Sequence, residues 1–474
     1  MFFLPNSEKG SSSKMGFLYV FNLIVGTGAL ALPKAFQTAG YVLSIIHNLK
    51  FRFSYIAATF VIEALSVANA VNARKYVVVS ESDPSLFEIV QKVEVGHMTS
   101  MFLGRSGVIF SYLALSIYLF GDLAIYSTTV PKSLMNLICA PINTSSVMPT
   151  DPCREGWPEF FHRFTVYRLC VVLFVTICTP MVIIGVAKTK YLQLATSFSR
   201  WSAFILMIAL ATAQMVSSGA AVTPTPVNIH GFGSLFGTAV YAFMCHHSIP
   251  ALITPMRSKT GLFFKLSGIY LLVLAFYFTL SITGAFAFTH VQDVYTLNFL
   301  HDEMTSVFYF IVDYFLALFP VFTLTTNYPI VGTTLINNIR VLRDAVFPPV
   351  SSEEESLLEG NDDERDSRLR RSTRADQVVI PILVIGIPTV ASLLTENVLL
   401  LATVTGSYPG VAVQFMIPCF LVIYARNHAR SVLNSPVPKK HGSPFQSVYW
   451  PYAIFLWALF AIIMVTLNIV GVRF

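Results

Sequence analysis

The run Asn22-Leu-Ile-Val-Gly26-Thr27-Gly28-Ala-Leu-Ala-Leu-Pro33 sets two glycines and a threonine in the middle of an apolar stretch. Glycine weakens a helix, and a helix that unwinds inside hydrocarbon frees N–H and carbonyl groups that no water can satisfy. Such groups bind a carboxylate at the positive end of one half-helix and a cation at the carbonyl end of the other. The alternative is that small residues at i and i+2 only let a neighbouring helix come close. A second interruption is written in Gly237-Thr-Ala-Val-Tyr241-Ala-Phe243-Met-Cys-His246-His247-Ser-Ile-Pro250, where the proline removes a backbone donor behind a polar turn. Two interruptions in corresponding positions of two halves point to a solute site at mid-membrane. Backbone groups of Gly26, Thr27 and Gly28 would hold the solute, and Tyr241 and Phe243 would shape its walls. A side chain at Gly28 would fill the space the carboxylate needs, so Gly28→Val is expected to abolish binding without preventing folding.

Three further side chains suit a coupling ion. Asn22 lies four residues before Gly26, on the face that carries the interruption. In the eighth apolar block Asp313, Pro320, Thr323 and Asn327 fall within an arc of about 80° on a helical wheel. The oxygens of Asn22, Thr323 and Asn327 suit a hard monovalent cation, whereas the bland reading has hydroxyls bonding back to their own helix. Glu63, Asp122 and Asp313 are ionisable groups in or beside apolar blocks and are candidates for a proton relay, with structural pairing to a base as the other reading. His246 and His247 are adjacent, so on a helix they point about 100° apart and do not form a chelating pair. No P-loop, metal-spaced Cys/His cluster or nucleophile elbow is present, so an enzyme is not expected and neither is a cofactor beyond a sodium ion or proton.

The elements that must position these residues follow from composition. Hydrophobic residues make up 54% of the 474 and charged residues 12%, against roughly 25% charged in a soluble domain. The apolar residues come in blocks of the length that spans a bilayer, near 16–36, 41–70, 107–137, 165–186, 191–216, 233–255, 264–289, 305–336, 377–395, 399–424 and 448–472. The expectation is an all-α integral membrane protein of about eleven spans: a cytosolic N-terminus (1–15), then one membrane domain (16–474). Most Lys and Arg residues, among them Arg74, Arg105, Lys188, Arg200, Arg257, Arg343 and Arg426, fall on one side of such a topology, which marks it as cytosolic. The loop after the third block carries Asn143-Thr144-Ser145, a glycosylation acceptor, and falls on the opposite side with Cys139 and Cys153. Those two cysteines either form a disulfide or stay free, while Cys170, Cys178, Cys245 and Cys419 read as small core residues. His47, Asn48, Lys50 and Arg52 interrupt the second block: helix two starts after Arg52, or the charges line an aqueous cavity, or the stretch is an error of gene prediction, the last two being preferred. Residues 351–376 are too charged to fold alone and are expected to be a disordered cytosolic loop. Within that loop Glu353, Leu357 and Leu358 match an acidic dileucine address read by sorting adaptors of endosomes and lysosomes.

The first interruption, the second interruption through Pro250, and Gly121-Asp122-Leu resemble the amino acid/auxin permease superfamily. Val61-Ile-Glu63-Ala64, Gly121 to Tyr126, Lys188 to Gln193, Tyr295 to Phe299 and Phe319 to Phe322 are similar, over nearly the whole chain, to its animal transmembrane protein 104 branch. The resemblance implies a five-plus-five inverted-repeat fold with one extra C-terminal helix and sodium- or proton-coupled amino-acid symport, transport being implied by the wider superfamily. The chain departs from the branch in the stretch at 47–52 and in a shorter second cytosolic loop. The rival readings are an amino-acid sensor that signals through the 351–376 loop and a non-transporting membrane scaffold. Membrane lipid and an amino-acid-like solute are the expected partners, at an endosomal or lysosomal membrane or the plasma membrane.

Overall fold

The computed structural model describes residues 24–44, 52–76, 84–139, 150–154, 156–184, 190–256, 259–300, 306–347 and 362–470. Asn22, Asn143, Glu353, Leu357, Leu358, the segment 1–15 and residues 47–51 of the charged stretch lie outside them.

Among the described residues the regular structure is helical, apart from one isolated bridge between Pro152 and His162. In chain order the helices are α1 (Gly28–Ala39), α2 (Arg52–Tyr76), α3 (Val95–Ile138), α4 (Arg163–Ile184), α5 (Lys190–Ser218), α6 (Phe232–Ala242) and the short α7 (Ile249–Ile253). There follow α8 (Leu262–Ala287), α9 (Val307–Val346), α10 (Asp362–Leu394), α11 (Val398–Thr405), α12 (Ile417–Val432) and α13 (Tyr449–Val470). Two π-helical segments, Gly406–Gly410 and Ala412–Met416, join α11 to α12 in one rod. A Cβ at Gly406 would lie 1.8 Å from the Gly237 carbonyl oxygen, so the absence of a side chain there lets α6 touch the rod's backbone.

Eight of the described helices are long and apolar enough to cross a membrane, and Val378–Leu394 is a shorter apolar helix. At 1.5 Å per residue α1 alone spans about 18 Å, short of the roughly 30 Å of hydrocarbon. It is half of an interrupted crossing, and α6 with α7 makes another. Apolar side chains such as Leu271, Phe310, Leu456 and Ile463 point outward, the surface expected of a bundle solvated by lipid tails. Polar groups are held inside instead. Glu63, in the middle of α2 and 2% exposed, takes two hydrogen bonds from Arg426 of α12, at 2.8 and 2.9 Å, and a third from the Ser443 N–H at 2.9 Å. Removing either partner of such a buried pair typically costs about 3–5 kcal/mol, because the other charge is left uncompensated.

Several boundaries differ from the sequence expectation. Arg52 of the charged stretch is helical, in α2, and exposed, while residues 47–51 of that stretch lie outside the described residues. α3 reaches back to Val95 through a bend at Gly104, where φ is 70° and ψ is −164°. α9 runs ten residues past the expected end, to Val346. α10 starts at Asp362, so the second half of the segment expected to be disordered is helical. Arg200, expected on the cytosolic side, is within the candidate span Ala195–Ser218, inside the expected block 191–216. The two loop cysteines, Cys139 and Cys153, are joined as a disulfide, whereas Cys170, Cys178, Cys245 and Cys419 are free and buried.

The loop from α8 to α9 closes over α1 at the disulfide end of α3. Gln37 accepts the Val291 N–H at 2.9 Å and donates to the Phe288 carbonyl at 3.1 Å. Asp293 in the same loop pairs with Lys132 of α3 at 2.8 Å and accepts the Val398 N–H of α11 at 2.9 Å. Three helices are thereby tied to one loop.

Candidate functional site

The interruption before α1 is local. Ile24 is helical, residues 25–27 are bends and a turn, and the helix resumes at Gly28 with Ala29 N–H on the Gly26 carbonyl (3.2 Å) and Leu30 N–H on that of Thr27 (3.0 Å). Opposite it α6 stops at Ala242, Phe243 to Cys245 leave the helix, and a 3-10 turn His246–Ser248 leads into α7. Pro250 stands in the first turn of α7, where a missing N–H leaves no helical bond broken. The sequence signal was right about the interruption, but the break lies at 243–245, ahead of the proline.

Hydroxyl groups join the two interruptions. Tyr277 of α8 donates to the Ile24 carbonyl at 2.8 Å and lies 3.3 Å from the Ala242 carbonyl. One side chain thus serves a freed acceptor from each break. The Tyr241 hydroxyl donates to Asp122 Oδ1 at 2.5 Å and lies 2.8 Å from Thr27 Oγ1. Since the Tyr241 proton points to the carboxylate, the Thr27 hydroxyl donates to the tyrosine oxygen. Tyr126 turns its hydroxyl toward Asp122 and Thr27, and the Tyr118 ring lies 6.2 Å from that of Tyr241. Phe243 packs edge-on against Tyr277 with centroids 5.1 Å apart.

The expected solute residues are therefore brought together, but not in equal roles. A Cβ on Gly28 would lie 2.4 Å from the Ala242 Cα, so the space beside Gly28 belongs to α6 and not to a carboxylate. At Gly26 the nearest atom to a built Cβ is the Ile24 carbonyl oxygen at 3.9 Å, and open room remains. Gly28 thus permits close packing with α6, whereas at Gly26 a side chain would find room among the described residues and the backbone carbonyl accepts the Ala29 N–H at 3.2 Å.

The ion candidates stand apart. Thr323 is 4% exposed and Asn327, one turn on, is half-buried, both in α9, which packs against α3, α4 and α5. Thr326, Thr333 and Thr334 bond back to their own helix, whereas Thr323 Oγ1 has no partner among the described residues. Asp313 is buried and engaged, Glu63 is held by Arg426, and Asp122 meets the interruptions through the Tyr241 hydroxyl. Sequence reasoning missed Arg200, Tyr277, Tyr118 and Tyr126. Arg200 interacts with Tyr126 and Tyr277, and a lone arginine inside an apolar block was the available signal. Among the described residues no cluster of metal-ligating side chains occurs.

Two facing breaks bridged by buried hydroxyls, inside a bundle that turns its apolar side chains outward, define a membrane transporter of the broken-helix kind. The solved structure of MhsT in complex with L-phenylalanine is similar over 98% of this chain and 100% of that one, with a TM-score of 0.55 and 16% identity, which establishes the inverted-repeat transporter fold. The chain belongs to the transmembrane amino acid transporter protein family, whose model matches residues 9–467. It is 60% identical to the transmembrane protein 104 homolog of Caenorhabditis elegans over 99% of both chains. Human transmembrane protein 104 is 36% identical, covering 97% of this chain and 96% of its own, and the Dictyostelium discoideum homolog is 32% identical over 98% of each. Family and fold make the protein an amino acid transporter rather than an enzyme.

Proposed function

We propose that the protein is a secondary active transporter that carries amino acids across a membrane in symport with a cation, sodium or proton. The observation that carries the reading is the interruption at residues 25–27 facing the break after Ala242, with Thr27, Tyr241 and Asp122 hydrogen-bonded in line between them. The solute carboxylate lies on N–H groups of the first interruption, Phe243 and Tyr241 form the wall, and Asn22, Thr323 and Asn327 supply oxygens to the ion. That MhsT was solved with L-phenylalanine supports a solute of this class. Uptake of radiolabelled amino acids into proteoliposomes, with a sodium or pH gradient imposed separately, tests the proposal. Accumulation above the external concentration under one gradient is expected. Binding without uptake would replace it by the sensor reading through the 351–376 loop, and neither binding nor uptake by the scaffold.

Two expectations concern where the protein works. The disulfide at the end of α3 fits an oxidising compartment on the side of Asn143, so Asn143→Gln should shift the protein down a gel by the mass of one glycan. An unshifted band from glycosylating cells would remove the glycan and with it that support for the orientation. Through Glu353, Leu357 and Leu358, adaptors direct the protein to endosomal or lysosomal membranes, and Leu357→Ala with Leu358→Ala should move it to the cell surface. Imaging that finds the double variant at the unchanged address would rule out this signal.

A further inference from the structure

The acids buried in the bundle are not equivalent. Glu63 has Arg426, and Asp293 has Lys132, each within 2.8 Å. Asp122 is 9% exposed in the middle of α3, yet among the described residues no basic side chain forms an ion pair with it. What surrounds it is neutral: the Tyr241 hydroxyl donates to it, the Tyr126 hydroxyl is turned to it, and Tyr118 stands beside Tyr241. Arg200 is directed to Tyr126 and Tyr277. A buried carboxyl group supplied with donors but with no counter-cation, at membrane depth, lacks a partner for its ionised form, and a cationic ligand would supply one. Thr27, in the first interruption, is two hydrogen bonds away through Tyr241.

We propose that Asp122 anchors a primary ammonium group of the solute, so that the site selects solutes bearing both an amine and a carboxylate. The inference rests on the amino-acid reading of the same site and adds to it the group that reads the amine. The carboxylate of a zwitterion lies at the first interruption, and its ammonium donates to Asp122, joining the Tyr241 hydroxyl there. With a solute that has no amine, Asp122 stays without that partner, and binding is disfavoured.

The test measures thermal stabilisation and equilibrium binding on the purified full chain with matched probes: the twenty amino acids, their des-amino carboxylic acids, and the corresponding decarboxylated amines. Wild type should bind at least one amino acid about ten- to a hundredfold tighter than its des-amino acid, the range expected for losing hydrogen bonds to a charged group. Asp122→Asn, nearly isosteric, should erase that preference, and Asp122→Glu, which keeps the charge, should retain part of it. Equal binding of an amino acid and its des-amino acid by wild type overturns the proposal without recourse to any variant. So does Asp122→Asn that binds the amino acid normally while uptake loses its pH dependence, since Asp122 then carries a proton. If no probe of any kind binds wild type, the amino-acid reading itself fails and this inference with it.

Discussion

Gly26→Val should abolish amino-acid binding in a protein that still folds, whereas Gly28→Val should lose the fold. A Cβ at Gly26 meets nothing closer than 3.9 Å, and Gly26 is not among the glycines with positive φ, so a branched side chain can be housed there without backbone strain. In the proposed site, the room it takes is the room a solute carboxylate would use to reach the first interruption. At Gly28 the first carbon alone would sit 2.4 Å from the Ala242 Cα, 2.8 Å from its Cβ and 2.8 Å from its N, and two helix backbones cannot yield as a flexible side-chain tip does. Overpacking typically costs about 1–3 kcal/mol, and more where backbone rather than a side-chain tip must move. Size-exclusion profile and melting temperature report folding, and thermal stabilisation by amino acids reports binding. A monodisperse Gly26→Val that binds as wild type does would place the solute elsewhere. A Gly28→Val of unchanged melting temperature would mean that α1 and α6 are not packed as found.

The crossings were legible because twenty-odd apolar residues in a row have few other uses, and the breaks because Gly26-Thr27-Gly28 and Pro250 offend a helix in a medium that tolerates few offences. What sequence could not assign was which glycine serves which purpose. Gly26 and Gly28 are alike in type and neighbours in position, and they differ only in that Ala242, more than two hundred residues on, lies against one of them. Glu63 is a similar case. An acid in an apolar block reads as a proton carrier or as half of a pair, and the choice was made by Arg426 on α12, 363 residues away.

Arg200 was lost for another reason. It was counted with the basic residues of the cytosolic side although it falls inside the block 191–216, and a span read from hydropathy alone does not say which way a residue within it faces. The start of α10 was lost to composition: Asp362 to Arg374 lacks the apolar stripe that sequence reasoning demands of a helix. Its helix continues into the apolar Val378–Leu394, which supplies the packing that the charged turns lack.

The coupling ion sets the second large effect, and Thr323 is the residue that decides it. α5 and α8 run in the same direction, since Trp201 meets Phe276 at one end and Gln214 bonds the Ala287 carbonyl at the other. α9 returns from the loop after α8 and so opposes α5, with Phe204 against Phe319 at 5.7 Å. One turn further in the same direction from that contact lie Arg200 on α5 and Thr323 on α9. A hydroxyl that is buried and without a partner among the described residues, where Thr326, Thr333 and Thr334 of the same helix bond backward, is a ready ligand for a hard cation. If sodium is the coupling ion, Thr323→Ala should raise the sodium concentration for half-maximal uptake about tenfold or more, the equivalent of about 1.4 kcal/mol. Solute affinity at saturating sodium should change far less, because the proposed carboxylate site is at the first interruption and not on Thr323. Asn22→Ala and Asn327→Ala should act in the same sense. Arg200 at this level favours the other reading, in which its fixed positive charge takes the place of a bound ion. Wild-type uptake would then ignore sodium and follow a pH gradient, Thr323→Ala would leave it unchanged, and the proton would have to ride on Asp313 or on Asp122, since Arg426 already holds Glu63. Uptake that responds to neither gradient while amino acids still bind would end both versions of coupled transport and leave the sensor.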